Sequence, residues 1–234
     1  MVSAIILAGG LGTRLAETVP HLPKALAPIR NVPFLKLLLE QIEASGIARN
    51  IVLALGYKAD AIQTFVKNQR LALPVEFSVE SAPLGTGGAL LHALPLAPSD
   101  TLLVLNGDTH FDLSLPSFLD FHKTQEADAT LACREVPDVS RYGSLLIDPF
   151  FRITSFREKS LTQEPGWING GVYLIEKKAL AEFPSRSCSI EKDLFPLLLQ
   201  KRLLAFPSTG SFIDIGTPTS YTEAQDILKP WIPS

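Results

Sequence analysis

The sequence predicts an α/β fold in which a mainly parallel, mixed sheet is flanked by helices, and three observations carry that expectation. Short apolar runs rich in β-branched residues alternate with longer segments of helical period through the first half of the chain. Several of these runs, such as Ile51–Leu55, are apolar throughout, as strands buried on both faces are. From about Ala129 the helices thin out and strand-like runs follow one another, so this half is expected to add antiparallel strands to the same sheet.

The first strand is read at Ala4–Ala8, and further strands at Ile51–Leu55, Val75–Val79 and Thr101–Leu105. The first helix is the clearest. Pro33 suits its first turn, Phe34, Leu37, Leu38, Gln41 and Ile42 recur at helical spacing, and Gly46 can close its C-terminus. Ala59–Val66 and Gly88–Ala93 read as crossover helices, and Ser189 as the cap of a helix from Ile190 to Gln200. The second half contributes strands at Ala129–Glu135, Gly143–Ile147, Ile153–Arg157 and Val172–Ile175, then a last helix at Pro218–Leu228 that stops before Pro230. No linker, repeat or low-complexity tract divides the chain. One domain over 1–234 is therefore expected, with a nucleotide half at about 1–128, an acceptor half at about 129–234 and the site between them.

At 234 residues with 46% hydrophobic content, the chain can bury one sizeable core. The net charge of −3 provides no general attraction to polyanions, which argues against a nucleic-acid partner and requires any phosphate to be held by a local site. Pro, Gly or charge interrupts each apolar stretch before the roughly 18 residues a membrane span needs, so no membrane insertion is expected. Ile5–Ala8 is too short for a signal-peptide core, and a cytoplasmic location follows as an expectation. Cys133 and Cys188 have neither metal-ligand spacing nor a disulfide framework and read as reduced packing residues.

The strongest local signal is Ala8-Gly9-Gly10-Leu11-Gly12-Thr13-Arg14-Leu15, directly after the first strand. Glycines there let backbone N–H groups approach a polyphosphate beyond a strand's C-terminal end, where α/β sheets bind ligands. The order is neither GxGxxG nor GxxxxGK[ST], which excludes a dinucleotide fingerprint and a Walker A loop. Arg14 and Lys24 add fixed cations suited to a leaving group that gains charge. Asp108 follows the run Leu102–Leu105 and Asp214 follows Phe212-Ile213, so two carboxylates end separate strand-like runs and can converge on a hard cation shared with phosphate oxygens. His21, His92, His110 and His122 have no triad context; His110, two residues beyond Asp108, is the one whose placement matters most.

These residues resemble the sugar-phosphate nucleotidyltransferases, the pyrophosphorylases that make nucleotide sugars. The resemblance runs from Ile5–Leu15 and Leu22-Pro23-Lys24 through Pro83–Ala89, Asn106-Gly107-Asp108, Glu158-Lys159 and Asn169-Gly170-Gly171 to Asp214–Pro218, nearly the whole chain in family order. It implies a Rossmann-like nucleotidyltransferase fold, similar to the GT-A fold, and transfer of a nucleotidyl group from an NTP to a sugar 1-phosphate with release of pyrophosphate. It further implies that Leu7, Ala8, Gly9, Gly10, Gly12, Thr13 and Arg14 hold the nucleotide and its phosphates, with Lys24 at the reacting α-phosphate. Glu80 and Gly85 would lie by the base, Gly107 by the ribose, and Asp108 and Asp214 on Mg2+. Tyr142, Gly143, Glu158, Lys159, Asn169 and Gly171 match the acceptor-sugar positions, with Lys159 facing the sugar's phosphate.

The acceptor is already ionised near neutral pH, so neither a serine nucleophile nor a histidine base is required, and direct displacement without a covalent intermediate is expected. A carboxylate at Glu80 can accept from the N1–H and N2 amino group of guanine, whereas uracil and thymine offer one donor on that edge. This favours GTP. Leu22-Pro23-Lys24, Ser78-Val79-Glu80 before Pro83–Gly88, and Ile190–Asp193 are similar to the branch that guanylylates a manno-heptose 1-phosphate. Guanylyl transfer to mannose 1-phosphate and uridylyl or thymidylyl transfer are the alternatives. The chain departs from the wider family in Ala16-Glu17-Thr18, in Ala25 after the signature Lys, and in lacking acidic residues at Ser81-Ala82, which bears on loop closure and base choice. A hexapeptide-repeat acetyltransferase domain is not expected, and assembly into a homo-oligomer stays open. A glycosyltransferase on a similar scaffold has no need of the Gly12-Thr13-Arg14 loop with Lys24, and a non-catalytic nucleotide-sugar sensor has no need of the full set of charged residues.

Overall fold

The computed structural model describes residues 1–140, 142–157, 163–183 and 186–232. Its first half runs β1 (Val2–Leu7), β2 (Pro28–Ile29), β3 (Val32–Pro33), α1 (Phe34–Ser45), β4 (Ala48–Leu55), α2 (Ala59–Lys67), β5 (Val75–Val79), α3 (Gly85–Ala93), β6 (Thr101–Asn106), β7 (Thr109–Phe111) and α4 (Leu115–Thr124). The second half adds β8 (Ala129–Val136), β9 (Ser144–Ile147), β10 (Ile153–Arg157), β11 (Gly166–Glu176), α5 (Phe195–Leu198), β12 (Leu203–Pro207), β13 (Phe212–Asp214) and α6 (Pro218–Ile227).

Among the described residues, nine strands form one sheet in the order β10-β9-β11-β6-β1-β4-β5, with β8 joining β11 to β12. β1, β4, β5 and β6 are mutually parallel where they pair, because each is reached by a crossover rather than a hairpin. β11 enters antiparallel to β6 and pairs with β8 along its other edge, so the second half of the chain extends the same sheet. β12 joins β8 in parallel, a local exception to the antiparallel pairing expected of that half. Alternation within β1 sends Ala4 and Ile6 to one core and Ile5 to the other. Helices α1, α2, α4 and α6 cover the first core and α3 and α5 the second.

The Gly46 stop is observed: the residue sits at φ 66° in the left-handed region and caps α1. Pro33 lies one residue earlier than expected, as the cap rather than the first helical position. The helix expected over Ile190–Gln200 is a π turn at Ile190–Leu194 followed by the four-residue α5. Pro196 explains the difference, since it has no N–H to donate and its ring would crowd the carbonyl four residues back; the wider turn accommodates both. Ser189 does cap the element, its side chain accepting from the Lys192 N–H at 3.3 Å.

α3 begins at Gly85, three residues ahead of the expected start, and β11 begins at Gly166 rather than Val172. β11 runs through Asn169-Gly170-Gly171 as a bulge, where its register against β8 shifts, with Gly171 at φ 71°. α4, β7 and β12 have no counterpart in the sequence reading.

Candidate active site

The order of strands reverses at β1: the chain proceeds from β1 outward through β4 and β5, then returns to place β6 on the other side of β1. A crevice opens beyond the C-terminal ends of strands at such a point. Here it is a cleft of about 510 Å³ lined by the ends of β1, β4, β5 and β6 and the start of α3. Leu7, Ala8, Gly9, Gly10, Lys24, Glu80, Gly85, Gly107 and Asp108 all line it. Gly12, Thr13, Arg14 and Asp214 do not line that cleft.

Close backbone approach accounts for several of the glycines. The Gly107 N–H donates to the Leu7 carbonyl at 2.9 Å, and a Cβ at Gly107 would lie 2.6 Å from that oxygen. The ends of β6 and β1 therefore meet only over a glycine. Gly85 sits at φ 71° with the Cys188 carbonyl 2.6 Å from where its Cβ would be, and the Gly87 and Gly88 N–H groups donate to that same carbonyl at 2.9 and 3.2 Å. This glycine run is thus demanded by the Cys188 segment in the second half of the chain, whatever else it does. Gly10 has open space around it, leaving its backbone bare to the cleft.

The charged groups converge through β7 and β13, an antiparallel pair of three-residue strands that sets Asp214 opposite Thr109. The Ile215 N–H donates to the Asp108 carbonyl at 2.9 Å, closing the same junction. Lys24 Nζ lies 2.5 Å from Asp108 Oδ2, and Thr109 Oγ1 donates to Asp108 Oδ1 at 3.1 Å. Asp214 Oδ1 accepts from the Gly216 N–H at 2.8 Å. The position of a Cβ on Gly216 measures the convergence, being 2.6 Å from Asp214 Oδ1, 3.4 Å from Lys24 Nζ and 3.7 Å from Arg14 Nη2. Two carboxylates and two cations distant in sequence therefore gather beside the cleft, with Lys24 and Asp108 on its wall and Asp214 and Arg14 just outside it. Among the described residues no group of three His, Cys, Asp or Glu side chains is placed to hold a metal. Any divalent ion here would need oxygen ligands from Asp108, Asp214 and a bound phosphate, a donor set of the hard type that magnesium takes.

Glu80 crosses from the end of β5 towards Gly9 and Gly56, its Oε2 accepting from the Leu84 N–H at 3.1 Å while Oε1 lies 2.6 Å from where a Gly56 Cβ would be. In β11, Asn169 Oδ1 accepts from the Gly171 N–H at 3.0 Å and Asn169 Nδ2 donates to the Tyr173 hydroxyl at 2.9 Å. Gly171 packs on Asn106 and Thr109, which brings the β11 bulge against the floor of the cleft. The Tyr142 ring meets Phe212 edge-on at 6.0 Å, and Gly143 packs on the Arg157 carbonyl. Glu158 and Lys159 lie outside the described residues.

His110 and His122 are buried in the core. His110 is 1% exposed, its ring packs on Trp231 at 5.1 Å, and neither ring nitrogen has a hydrogen-bond partner among the described residues. Burial lowers its pKa to about 4. His122 is equally buried, held by Thr130 and Glu176. Sequence reasoning missed Gly56 and Tyr57, which line the cleft at the end of β4, although a Gly-Tyr pair ending an apolar strand was available as a signal. It also gave no role to Gly216, whose importance comes only from what surrounds it. No described helix is long and apolar enough to cross a membrane.

Residues 3–229 match the family model described as Nucleotidyl transferase. The chain is 38% identical over 233 residues to the D-glycero-alpha-D-manno-heptose 1-phosphate guanylyltransferase of Aneurinibacillus thermoaerophilus, covering 99% of this chain and 100% of that one. It is 36% identical over 225 residues to the protein of the same name from Campylobacter jejuni, covering 94% and 97%. The crystal structure of HddC from Yersinia pseudotuberculosis complexed with GMP-PN superposes with a TM-score of 0.86 at 38% identity, over 98% of this chain and 100% of that one.

Proposed function

The chain belongs to the nucleotidyl transferase family, and from that premise we propose that it transfers the guanylyl group of GTP to D-glycero-α-D-manno-heptose 1-phosphate in the cytoplasm, releasing pyrophosphate. The observation that carries this reading is the convergence of Arg14, Lys24, Asp108 and Asp214 beside a cleft whose wall includes Lys24, Asp108 and the open backbone of Gly10. The substrates are supported by the full-length likeness to relatives named for that reaction and to a protein crystallised with GMP-PN.

An oxygen of the sugar phosphate attacks the α-phosphorus; the new O–P bond forms as the bond to the β-phosphate breaks, and the electron pair leaves on pyrophosphate. Two anions must be brought together, so the work of the protein is alignment and charge neutralisation. Gly9, Gly10, Gly12 and Thr13 offer backbone donors to the phosphates, Arg14 meets the charge gathering on the leaving group, and Lys24 sits at the α-phosphate. Asp108 and Asp214 would hold magnesium, which when bound draws the triphosphate oxygens together and neutralises the departing pyrophosphate. Glu80 accepts from the guanine edge beside Gly85, and Gly107 lies under the ribose. Tyr142, Gly143, Asn169 and Gly171 line the acceptor side, and Glu158 and Lys159 are assigned to it from the sequence resemblance alone.

The experiment is pyrophosphate release from GTP, UTP, CTP, ATP and dTTP, each paired with heptose, mannose, glucose and N-acetylhexosamine 1-phosphates. Release confined to GTP with the manno-heptose phosphate is expected. Turnover with mannose 1-phosphate or with UTP instead would overturn the substrate assignment.

A further inference from the structure

We infer that α6 is a bracket that sets Lys24 and Asp214 relative to one another, and that Tyr221 is its main positioning residue; the inference rests on the roles proposed above for those two groups. At its N-terminus α6 carries a capping box in which Thr217 and Ser220 exchange hydrogen bonds, and the fully buried Ser220 places its hydroxyl 3.5 Å from Asp214 Oδ1. One residue on, the helix reaches the other way. The Tyr221 hydroxyl donates to the Pro28 carbonyl at 2.6 Å, and Gln225 Nε2 donates to the same oxygen at 3.2 Å.

Pro28 begins β2, immediately after the turn Lys24–Leu26, which is closed by the Ala27 N–H on the Lys24 carbonyl at 3.0 Å. β2 and β3 form a hairpin whose two turn residues, Arg30 and Asn31, both have positive φ, 44° and 74°. Such a turn suits glycine or asparagine, so Arg30 needs outside support to stay there. α6 supplies it: Arg30 N–H donates to Gln225 Oε1 at 2.8 Å, Arg30 Nε to the Gln225 carbonyl at 2.6 Å, and Arg30 Nη2 to Asp226 at 3.0 Å. The circuit is closed at the other end, where Lys24 pairs with Asp108 and the Asp108 carbonyl accepts from Ile215, the neighbour of Asp214. Lys24 is anchored on that three-residue turn, so a drift of the turn moves the base of its side chain, and α6 touches the turn's exit while its Ser220 hydroxyl reaches Asp214.

Tyr221→Phe removes one of two donors from the Pro28 carbonyl, and Tyr221→Phe with Gln225→Ala removes both. One hydrogen bond corresponds to a factor of about 2 to 13, so kcat should fall about fivefold for the single change and about 30-fold for the pair. KM for both substrates should stay within about twofold, because alignment rather than binding is lost. In a Lys24→Arg background the same changes should lower kcat less than twofold, since contacting or coupled sites are not additive. Equal factors in both backgrounds, a KM change without a kcat change, or a lowered melting temperature alone would overturn the proposal by marking Tyr221 as structural. The crystal structure of the pair variant gives an answer independent of turnover: Lys24 Nζ is expected beyond 4 Å, the usual limit of an ion pair, from Asp108, and a retained pair contradicts the bracket. The ratios are read on whichever nucleotide and sugar phosphate the wild type uses, so a wrong substrate assignment and a wrong bracket give different results.

Discussion

Gly216→Ala is the smallest change that should disable the site. A Cβ at 216 would stand 2.6 Å from Asp214 Oδ1, so the carboxylate must retreat by about 0.8 Å to reach an ordinary 3.4 Å contact, while the contacts to Lys24 Nζ at 3.4 Å and Arg14 Nη2 at 3.7 Å are tolerable. The backbone of Gly216 is not in the left-handed region, so alanine adds no φ strain and the effect isolates the displaced carboxylate. Weakening a hydrogen bond to a charged group costs about 1.5–3 kcal/mol, and a misplacement of about 1 Å in an active site can cost roughly 100-fold in rate. The expected result is a 30- to 100-fold loss in kcat/KM on these two scales, together with a raised half-saturating Mg2+ concentration. The assay is continuous pyrophosphate release over a range of Mg2+ concentrations, with a thermal melt on the same sample. A variant within twofold of wild type in both rate and Mg2+ dependence would refute the convergence of Asp214 with Lys24 and Arg14 on the reacting phosphates.

Lys24→Ala should cut kcat by about 100- to 1000-fold, the scale of a lost donor to developing charge, and direct kinetics with saturating substrates will decide it. Asp108→Asn should abolish turnover and weaken Mn2+ binding followed by electron paramagnetic resonance; unaltered Mn2+ affinity would remove Asp108 from the metal. Gly107→Val should leave little folded or active protein, because the added side chain meets the Leu7 carbonyl, and a melt together with the activity assay will read both effects. His110 has a folded-state pKa of about 4 against an ordinary 6.5, so its neutral ring contributes stability above pH 6.5 that is lost as the pH falls from 6.5 towards 4. His110→Phe should therefore lose less stability than wild type between pH 7 and pH 4 by up to about 3 kcal/mol, measured by urea unfolding at the two pH values.

The central strands were legible because parallel strands covered on both faces are apolar, and Ile51–Leu55 and Thr101–Leu105 fall inside β4 and β6; Val75–Val79 matches the edge strand β5, where Glu76 is exposed. β13 showed only as the short run Phe212-Ile213 and β7 not at all, since each is three residues long and they pair only with one another. That pairing is also what joins Asp108 to Asp214, so the carboxylates could be nominated from sequence but their meeting could not. The start of α3 was misplaced because glycine is a poor helix former; the Cys188 carbonyl, 103 residues away from Gly85 in the chain, holds those N–H groups in place. Pro196 was visible, but what it does to a helix already begun at Ile190 depends on the room available for a wider turn. Gly85 was read beside the base and Gly107 beside the ribose, whereas the structure gives each a reason of its own, the contact of one backbone with another.

The most direct test is a single-turnover experiment with enzyme in excess over GTP labelled at the α-phosphate, with and without the manno-heptose 1-phosphate. The account predicts that label passes in one step to the nucleotide sugar, only when the sugar phosphate is present, with none on the protein and none transferred by Asp108→Asn. Label retained covalently on the protein, or transfer that proceeds with α-labelled UTP and not GTP, would contradict it.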